Sequence, residues 1–119
     1  MFNKLIFEGE YFNGKRNGKG KEYYENGKLE FEGDYLNGVK WNGNGYNPNG
    51  NMEYIIKNGN GKVKEYNHYI LKLKFEGEYL NGERSGKGKE YDYNGELKFD
   101  GEYLNGKRNG KKNDIKIVN

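Results

Sequence analysis

The residue types that carry most enzyme chemistry are scarce in this sequence. His68 and Ser85 are the only histidine and the only serine, and cysteine is absent. No Ser-His-Asp or Cys-His constellation can be assembled from this set. We expect His68 to be hydrogen-bonded or exposed rather than a metal ligand, and Ser85 to be a turn residue. The sequence therefore predicts no catalytic residue, no metal site and no cofactor.

Carboxylates two residues apart could do general acid–base chemistry, and such pairs occur four times. The pairs are Glu8/Glu10, Glu32/Asp34, Glu76/Glu78 and Asp100/Glu102. Acid–base catalysis needs two carboxyl groups in different environments, and repetition supplies identical ones. We interpret these pairs as a structural, solvent-facing feature.

Basic residues follow each aromatic segment and could bind anions. The candidates are Lys15, Arg16, Lys19, Arg84, Lys87, Lys107 and Arg108. In a row along one edge they could meet anionic headgroups, at about 1 kcal/mol each, or RNA phosphates. Alternatively, strand lysines such as Lys19 and Lys21 pair with glutamates across the strands. We favour pairing for the strand lysines, and both interpretations stay open for the loop residues.

These residues belong to an internal repeat. The Phe-Glu-Gly-Glu-Tyr segment at 7–11 recurs, with Asp replacing Glu at two places, at 31–35, 75–79 and 99–103. The wide central gap holds a shorter copy: placing Gly61 opposite Gly18 puts Tyr54 opposite Tyr11 and Met52 at the first glycine. The predicted repeats span about 5–28, 29–49, 50–72, 73–96 and 97–118 in a single array, with the third degenerate.

Within each copy the period is two, as in a half-buried strand. Each first strand ends at Asn-Gly, the dipeptide that favours type I′ hairpin turns. The sequence predicts an all-β fold: a single-layer, twisted antiparallel β-meander of about five stacked hairpins and about ten strands in one continuous sheet. We expect Trp41 to add a residue to the second loop, and the segment Asp114 to Val118 to form a last strand whose edge could be a dimer seam.

Glycines inside the strands, such as Gly9 and Gly20, indicate close packing. We expect them to leave room for rings of neighbouring copies to stack into an aromatic ladder. Its predicted members are Phe7, Tyr11, Phe31, Tyr35, Phe75, Tyr79, Phe99 and Tyr103. An open ladder would be an apolar groove for a partner, whereas a ladder covered by side chains of the second strands would be the core.

Charge and hydropathy set the remaining limits. The net charge is +3, 12 tyrosines supply apolar area, and mean hydropathy is −1.28. The sequence has no apolar run of the length of a membrane-spanning helix and no signal peptide. We expect a folded, cytoplasmic protein, with association to a membrane or the cytoskeleton left open.

The repeated segment and the Gly-Lys-Arg-Asn-Gly-Lys-Gly that follows it at 14–20 resemble the MORN repeat (membrane occupation and recognition nexus). The tyrosine-rich segment at 23–29 is similar to the variant MORN repeats of protists, giant viruses and bacteria. The resemblance implies an elongated β-meander used for scaffolding, dimerisation or protein binding, with phospholipid binding proposed for some members.

We therefore expect a non-catalytic interaction or scaffold module with a protein partner or a second copy of itself. Anionic phospholipid is the alternative partner, and an inactive repeat fragment is a third, weaker one. We expect neither nucleic acid nor a small-molecule substrate. Three aromatic residues in the irregular centre are the candidates for a specific contact: Trp41, Tyr46 and Tyr54.

Overall fold

A computed structural model describes residues 5–112 of the chain, with side chains up to residue 110. Ten antiparallel strands follow one another in this range, and no segment of it is helical. The strands are β1 (Phe7–Phe12), β2 (Lys15–Tyr23), β3 (Leu29–Leu36), β4 (Val39–Tyr46), β5 (Met52–Ile56), β6 (Gly61–Tyr66), β7 (Leu73–Leu80), β8 (Glu83–Tyr91), β9 (Leu97–Leu104) and β10 (Lys107–Lys112). The predicted all-β meander is confirmed; the proposed strand at Asp114 to Val118 lies outside the described residues.

The Asn-Gly turns explain why each copy is a hairpin. Asn13 and Gly14 have φ angles of 51° and 78°, and the Asn-Gly pairs that close the other four hairpins are likewise positive. Type I′ turns require a positive φ at both central residues, which asparagine and glycine tolerate best. The turns therefore connect β1 to β2, β3 to β4, β5 to β6, β7 to β8 and β9 to β10.

The prediction of one continuous sheet is wrong. Strands β1–β5 form one sheet and β6–β10 form another. Between β5 and β6 the structure shows one isolated bridge, Lys57 with Asn60, next to the turn. The two strands of the third hairpin are thus paired only beside the turn and separate beyond it.

A change of residue type at the strand centre explains this opening. In the first, second and fourth hairpins two glycines face each other, as Gly9 faces Gly20 and Gly77 faces Gly88. In the third hairpin the ladder register places Ile56 opposite Gly43 and Val63 opposite Gly77, so both occupy glycine positions. Ile56 and Val63 are 1% and 3% exposed. Two buried side chains replace a close backbone contact, and the two sheets meet there.

The register also corrects two alignments in the centre. Gly43 pairs with Gly33 as Gly20 pairs with Gly9, yet it lies five residues after its turn glycine instead of six. The second loop is therefore one residue shorter, and Trp41 is no insertion. Tyr54 pairs with Gly45 as Phe31 pairs with Glu22. Tyr54 thus stands at the first aromatic position rather than opposite Tyr11, and Ile56 rather than Met52 replaces the first glycine.

The aromatic rings form the core, and glycines make room for them. A Cβ on Gly20 would lie 2.8 Å from the Phe7 ring and 2.9 Å from the Tyr35 ring. Phe7 and Tyr35, from consecutive repeats, meet with ring centroids 5.3 Å apart and planes at 89°. The predicted glycine gap is confirmed, but the rings pack edge to face instead of stacking, the arrangement that their quadrupoles favour.

Alternation from Gly20 to Tyr24 gives the faces of two adjacent tyrosines. Tyr24 is 1% exposed on the ladder side, and its ring contacts Tyr66 and His68. The Tyr23 hydroxyl donates to Glu8 at 2.8 Å on the opposite side. The bulge lies instead in β3, where the pairing shifts at Glu30. We call the ladder side the inner face and the side of Glu8 the outer face.

Candidate interaction surfaces

Most predicted ladder residues are core residues. Phe31 and Phe75 are 0% exposed, Tyr35 and Tyr103 are 4% and 3% exposed, and Phe99 is 7% exposed. Phe7 and Tyr79 are partly buried, whereas Tyr11 on the outermost strand is 60% exposed. The ladder is therefore mainly exposed at its β1 end, at Tyr11.

A cation lies over the phenyl ring of each regular repeat. The guanidinium carbons of Arg16, Arg84 and Arg108 lie 3.8, 4.1 and 4.4 Å from the ring centroids of Phe7, Phe75 and Phe99, respectively. In the second repeat the Lys40 ammonium lies 5.1 Å from Phe31. These contacts are cation–π interactions, so three of the predicted anion-binding residues cover the inner face.

Glutamates join these cations to one another across repeats. Arg84 contacts Glu65 of the preceding repeat at 2.9 Å and Glu90 of its own at 3.0 Å. Burial alone would lower the pKa of Arg84, but hydrogen bonding and the charge of Glu65 raise it above its ordinary value. Burial would likewise raise the pKa of Glu65, and Arg84 lowers it on balance.

Tyrosine hydroxyls complete this network. The Tyr35 hydroxyl donates to Glu22 at 2.6 Å, and the Tyr79 hydroxyl donates to Glu65 at 2.5 Å. Burial, then the neighbouring glutamate, raises the pKa of each hydroxyl, so both stay protonated donors. The rings of the inner face are thus covered by the chain's own arginines, glutamates and tyrosines.

The second repeat carries a variant of the network around His68. Lys40 contacts Glu30 at 3.2 Å, and the His68 imidazole contacts the other oxygen of the same carboxylate. That carboxylate oxygen is satisfied when His68 carries a proton. The hydrogen bond to Glu30 raises the pKa of His68. The loop that follows β6 is thereby tied to β3 in the other sheet.

Three of these groups could in principle share a cation. Ligand atoms of Glu22, Glu30 and His68 lie within 4.8 Å of one another. Arg16 and Lys40 already contact the two carboxylates, so a metal ion would have to displace both cations. This cluster was missed by the sequence analysis, because His68 is distant from both glutamates along the chain.

The remaining predicted anion-binding residues lie on the outer face. Lys19 faces Asp34, and Lys21 lies between Glu8 and Glu32, with an Nζ–Oε2 distance of 3.5 Å to Glu32. Lys87 is opposite Glu102 in the same way. The Lys21–Glu32 ion pair agrees with the predicted cross-strand pairing, and Lys19 and Lys87 occupy matching register positions. Lys15 and Lys107, the first residues of β2 and β10, are exposed.

Lysines and carboxylates also wall two shallow grooves over the glycine rows. Each groove has a volume of about 480 Å³, one centred on Gly20 and one on Gly88. Their walls carry both signs of charge, so neither groove selects an anion or a cation.

The three central aromatic candidates make contacts within the chain. The Trp41 ring packs on the turn at Gly59, whose N–H donates to the Trp41 carbonyl at 2.8 Å. The Tyr46 carbonyl accepts the Tyr24 hydroxyl at 2.6 Å. Tyr54 is 6% exposed. Trp41 and Tyr46 are half-buried and retain some accessible surface.

An apolar row on the outer face was missed by the sequence analysis. It consists of the residue before each regular Asn-Gly turn: Phe12, Leu36, Leu80 and Leu104, which are 63%, 40%, 52% and 55% exposed. Alternation alone would have placed them opposite the buried tyrosines that precede them. We call these four residues the outer apolar row.

Bonds between successive turns hold this row along one margin of the meander. The Gly38 N–H donates to the Arg16 carbonyl, and the Gly82 N–H donates to the Gly59 carbonyl, both at 2.8 Å. Asparagine side chains add to the ladder: Asn17 Oδ1 accepts the Asn37 N–H at 3.0 Å. The turn of one repeat is therefore docked on the preceding repeat.

Comparison with known families agrees with this geometry. The MORN repeat model matches residues 7–28, 75–96 and 99–111. The chain therefore contains MORN repeats at these three places. A comparison with curated proteins gives no match.

The MORN matches fall on the first, fourth and fifth repeats, in which an arginine covers the phenyl ring. In the second repeat Lys40 takes that place, and the third repeat opens at Ile56. MORN repeats are generally protein- or membrane-interaction modules. Within residues 5–112 no helix is long and apolar enough to cross a membrane.

Proposed function

We propose that this MORN array is a non-catalytic protein-interaction module that binds a protein partner through the outer apolar row. The observation that carries the proposal is the exposure of four large apolar side chains at one repeated position. Solvent-exposed apolar side chains grouped in one region commonly mark a binding surface. The inner face, in contrast, is already covered by Arg84 and its equivalents.

The charged groups support a binding role rather than catalysis. The carboxylates Glu8, Glu32 and Glu76 lie on the outer face opposite lysines, in the same setting in each repeat. Such repeated settings do not separate a general acid from a general base. The regularly spaced apolar side chains of the outer apolar row could instead contact a protein partner.

Quantitative affinity capture from cells tests this proposal. The wild-type chain is compared with Leu36→Ser/Leu80→Ser, which removes the centre of the row. The matched control is Tyr69→Ser/Tyr93→Ser, because those side chains are 77% and 74% exposed but lie outside the row. We expect the row variant to lose a stoichiometric partner that the control keeps. Equal capture by both variants would contradict the proposal.

Self-association is measured with the same proteins. Light scattering over a concentration series shows whether the partner is a second copy, since the row variant would then be monomeric where the wild type is dimeric. A dimer that survives loss of the row would locate self-association elsewhere.

Anionic phospholipid is a second candidate, supported by the position of two exposed lysines. Lys15 pairs with Phe12 and Lys107 with Leu104 in the strand register, so a cation adjoins an apolar residue at each end of the row. Vesicles containing phosphatidylserine and phosphoinositide would float with the wild type and not with Lys15→Glu/Lys107→Glu. Arg16 and Arg108 are left unchanged because they hold internal ion pairs. Absence of flotation at low salt excludes this candidate.

A further inference from the structure

In the described part of the chain, one edge of β1 is unpaired, whereas the first strands of the second, fourth and fifth hairpins are paired on both edges. In residues 5–112, β3, β7 and β9 each lie between two strands, whereas β1 pairs with β2 alone. The effect is clearest at the second aromatic position: Tyr11 is 60% exposed, but Tyr35 and Tyr103 are 4% and 3% exposed. Unpaired backbone groups at such an edge can receive another strand.

The strand that covers an equivalent edge has a defined pattern. Along β3, the second strand of the preceding repeat places a glycine opposite Tyr35, a lysine opposite each acidic residue, and Glu22 opposite Phe31. Along β9, the strand β8 repeats this arrangement, with Gly86 opposite Tyr103 and Glu90 opposite Phe99. The covering sequence reads Gly-Lys-Gly-Lys-Glu in both.

Each element of that pattern has a chemical reason. The lysines face the carboxylates of the first strand, as Lys21 faces Glu32. The central glycine leaves space for the tyrosine ring, because a Cβ on Gly20 would lie 2.9 Å from Tyr35. The glutamate accepts the tyrosine hydroxyl, as Glu22 accepts that of Tyr35 at 2.6 Å.

β1 presents the complementary half of this pattern: two acidic residues that flank Gly9, followed by Tyr11. We propose that the β1 edge binds an extended Gly-Lys-Gly-Lys-Glu segment of another protein chain, the second strand of a MORN repeat, by antiparallel strand addition. Main-chain hydrogen bonds would supply affinity, and the two lysines and the central glycine would supply specificity. Tyr11 would then be buried as Tyr35 is.

Strand β10, the last one within residues 5–112, fits the edge poorly. Lys112 pairs with Gly101 as Gly20 pairs with Gly9, so a lysine stands where the tyrosine ring of the next repeat needs a glycine. At the equivalent position in β6, Val63 accompanies a displaced tyrosine. The Phe75 and Tyr79 rings are 6.4 Å apart and tilted at 52°, against 5.5 Å and 80° for Phe31 and Tyr35. The favoured occupant is therefore a different chain.

A labelled peptide with the sequence of residues 15–24 is the probe, because β2 already has the required pattern. Fluorescence anisotropy measures its binding to the full chain. We expect saturable binding that is weakened about tenfold by Glu8→Lys/Glu10→Lys, since two attractive cross-strand pairs become repulsive. Glu83→Lys/Glu96→Lys, at two exposed positions outside the first sheet, is the charge-matched control and should bind as the wild type does.

Two further comparisons address the ring contact. A probe with lysine at the position of Gly20 imitates the last strand and should bind at least about tenfold more weakly. Tyr11→Ala should weaken the original probe, whereas Tyr93→Ala should not; circular dichroism verifies that each variant is folded. Absence of saturable binding, or binding unaffected by both the Glu8/Glu10 and the Tyr11 changes, would overturn the proposal.

Discussion

At the scale of single residues, Gly88 occupies a position with no room for a side chain. A Cβ there would lie 2.8 Å from the Phe75 ring and 2.9 Å from the Tyr103 ring, closer than carbon atoms pack. Because Phe75 and Tyr103 are almost fully buried, neither ring can move into solvent. We expect Gly88→Ala to lower the free energy of unfolding by about 1–3 kcal/mol through overpacking, measured by urea unfolding.

Lys89 provides the control for this substitution. It is the next residue of β8 and points to the outer face, where it is exposed. Lys89→Ala should change the free energy of unfolding by less than about 0.5 kcal/mol. A Gly88→Ala protein as stable as the Lys89→Ala protein would show that the ladder is not packed as described.

His68 makes stability depend on pH. The hydrogen bond to Glu30 raises the pKa of His68. The stability that His68 contributes is therefore fully present below its ordinary pKa of about 6.5 and is lost as pH rises through the raised value. Burial acts to raise the pKa of Glu30, but His68 and Lys40 lower it on balance. The contribution of Glu30 is therefore present above its ordinary pKa and lost as pH falls.

The wild type should therefore exceed His68→Gln in free energy of unfolding at pH 6, and the difference should shrink at pH 9. Urea unfolding of both proteins at the two pH values measures this. Gln keeps a donor but cannot be charged, so a difference that does not change with pH would attribute the effect to packing.

At the scale of the elements, Arg84 connects three strands. It lies in β8, covers Phe75 of β7 and contacts Glu65 of β6, with all three side chains largely buried. Arg84→Met keeps the apolar stem but leaves Glu65 and Glu90 without their shared cation. We expect the free energy of unfolding to fall by about 2–4 kcal/mol, since removing one partner leaves buried charges uncompensated.

Arg108 offers a matched comparison in the last repeat. It makes the same ring and glutamate contacts, but its side chain is 47% exposed against 21% for Arg84. Arg108→Met should cost about 1 kcal/mol or less, because solvent screens the pair. Equal losses for the two variants would mean that burial of the network does not decide its strength.

The strands and turns could be predicted from local pattern, but the network could not. Period-two alternation and Asn-Gly act over a few residues, so the hairpins follow from the sequence. Arg16 and Arg84 looked like loop cations because their ring contacts depend on the three-dimensional register. The outer apolar row was predictable in principle, since Leu36 alternates with the buried Tyr35.

At the scale of the whole molecule, the division into two sheets depends on residues that look unremarkable in sequence. Ile56 and Val63 read as ordinary strand residues, and only their glycine-equivalent register shows that they must separate the strands. The same register places Tyr54 at the first aromatic position of its repeat, where it is buried. The sequence alignment, which was anchored on Gly61, placed it opposite Tyr11 instead. A one-residue slip in the register of a strand moves every side chain of that strand to the other face.

Ile56 couples the two halves of the array, because it is 1% exposed within the cluster that contains Phe31 of the first sheet and Val63 of the second. In repeat proteins cooperativity depends on such interfaces between neighbours. Ile56→Ala should lower the free energy of unfolding by about 2–5 kcal/mol and make the two sheets unfold in separate transitions. The fluorescence of Trp41, the single tryptophan, reports on the first sheet, while far-ultraviolet circular dichroism reports on both. Ile55→Ala, at a 57% exposed neighbour, should leave the two curves coincident, as in the wild type. Coincident curves for Ile56→Ala would mean that the turn ladder through Gly59, rather than the apolar cluster, transmits cooperativity between the sheets.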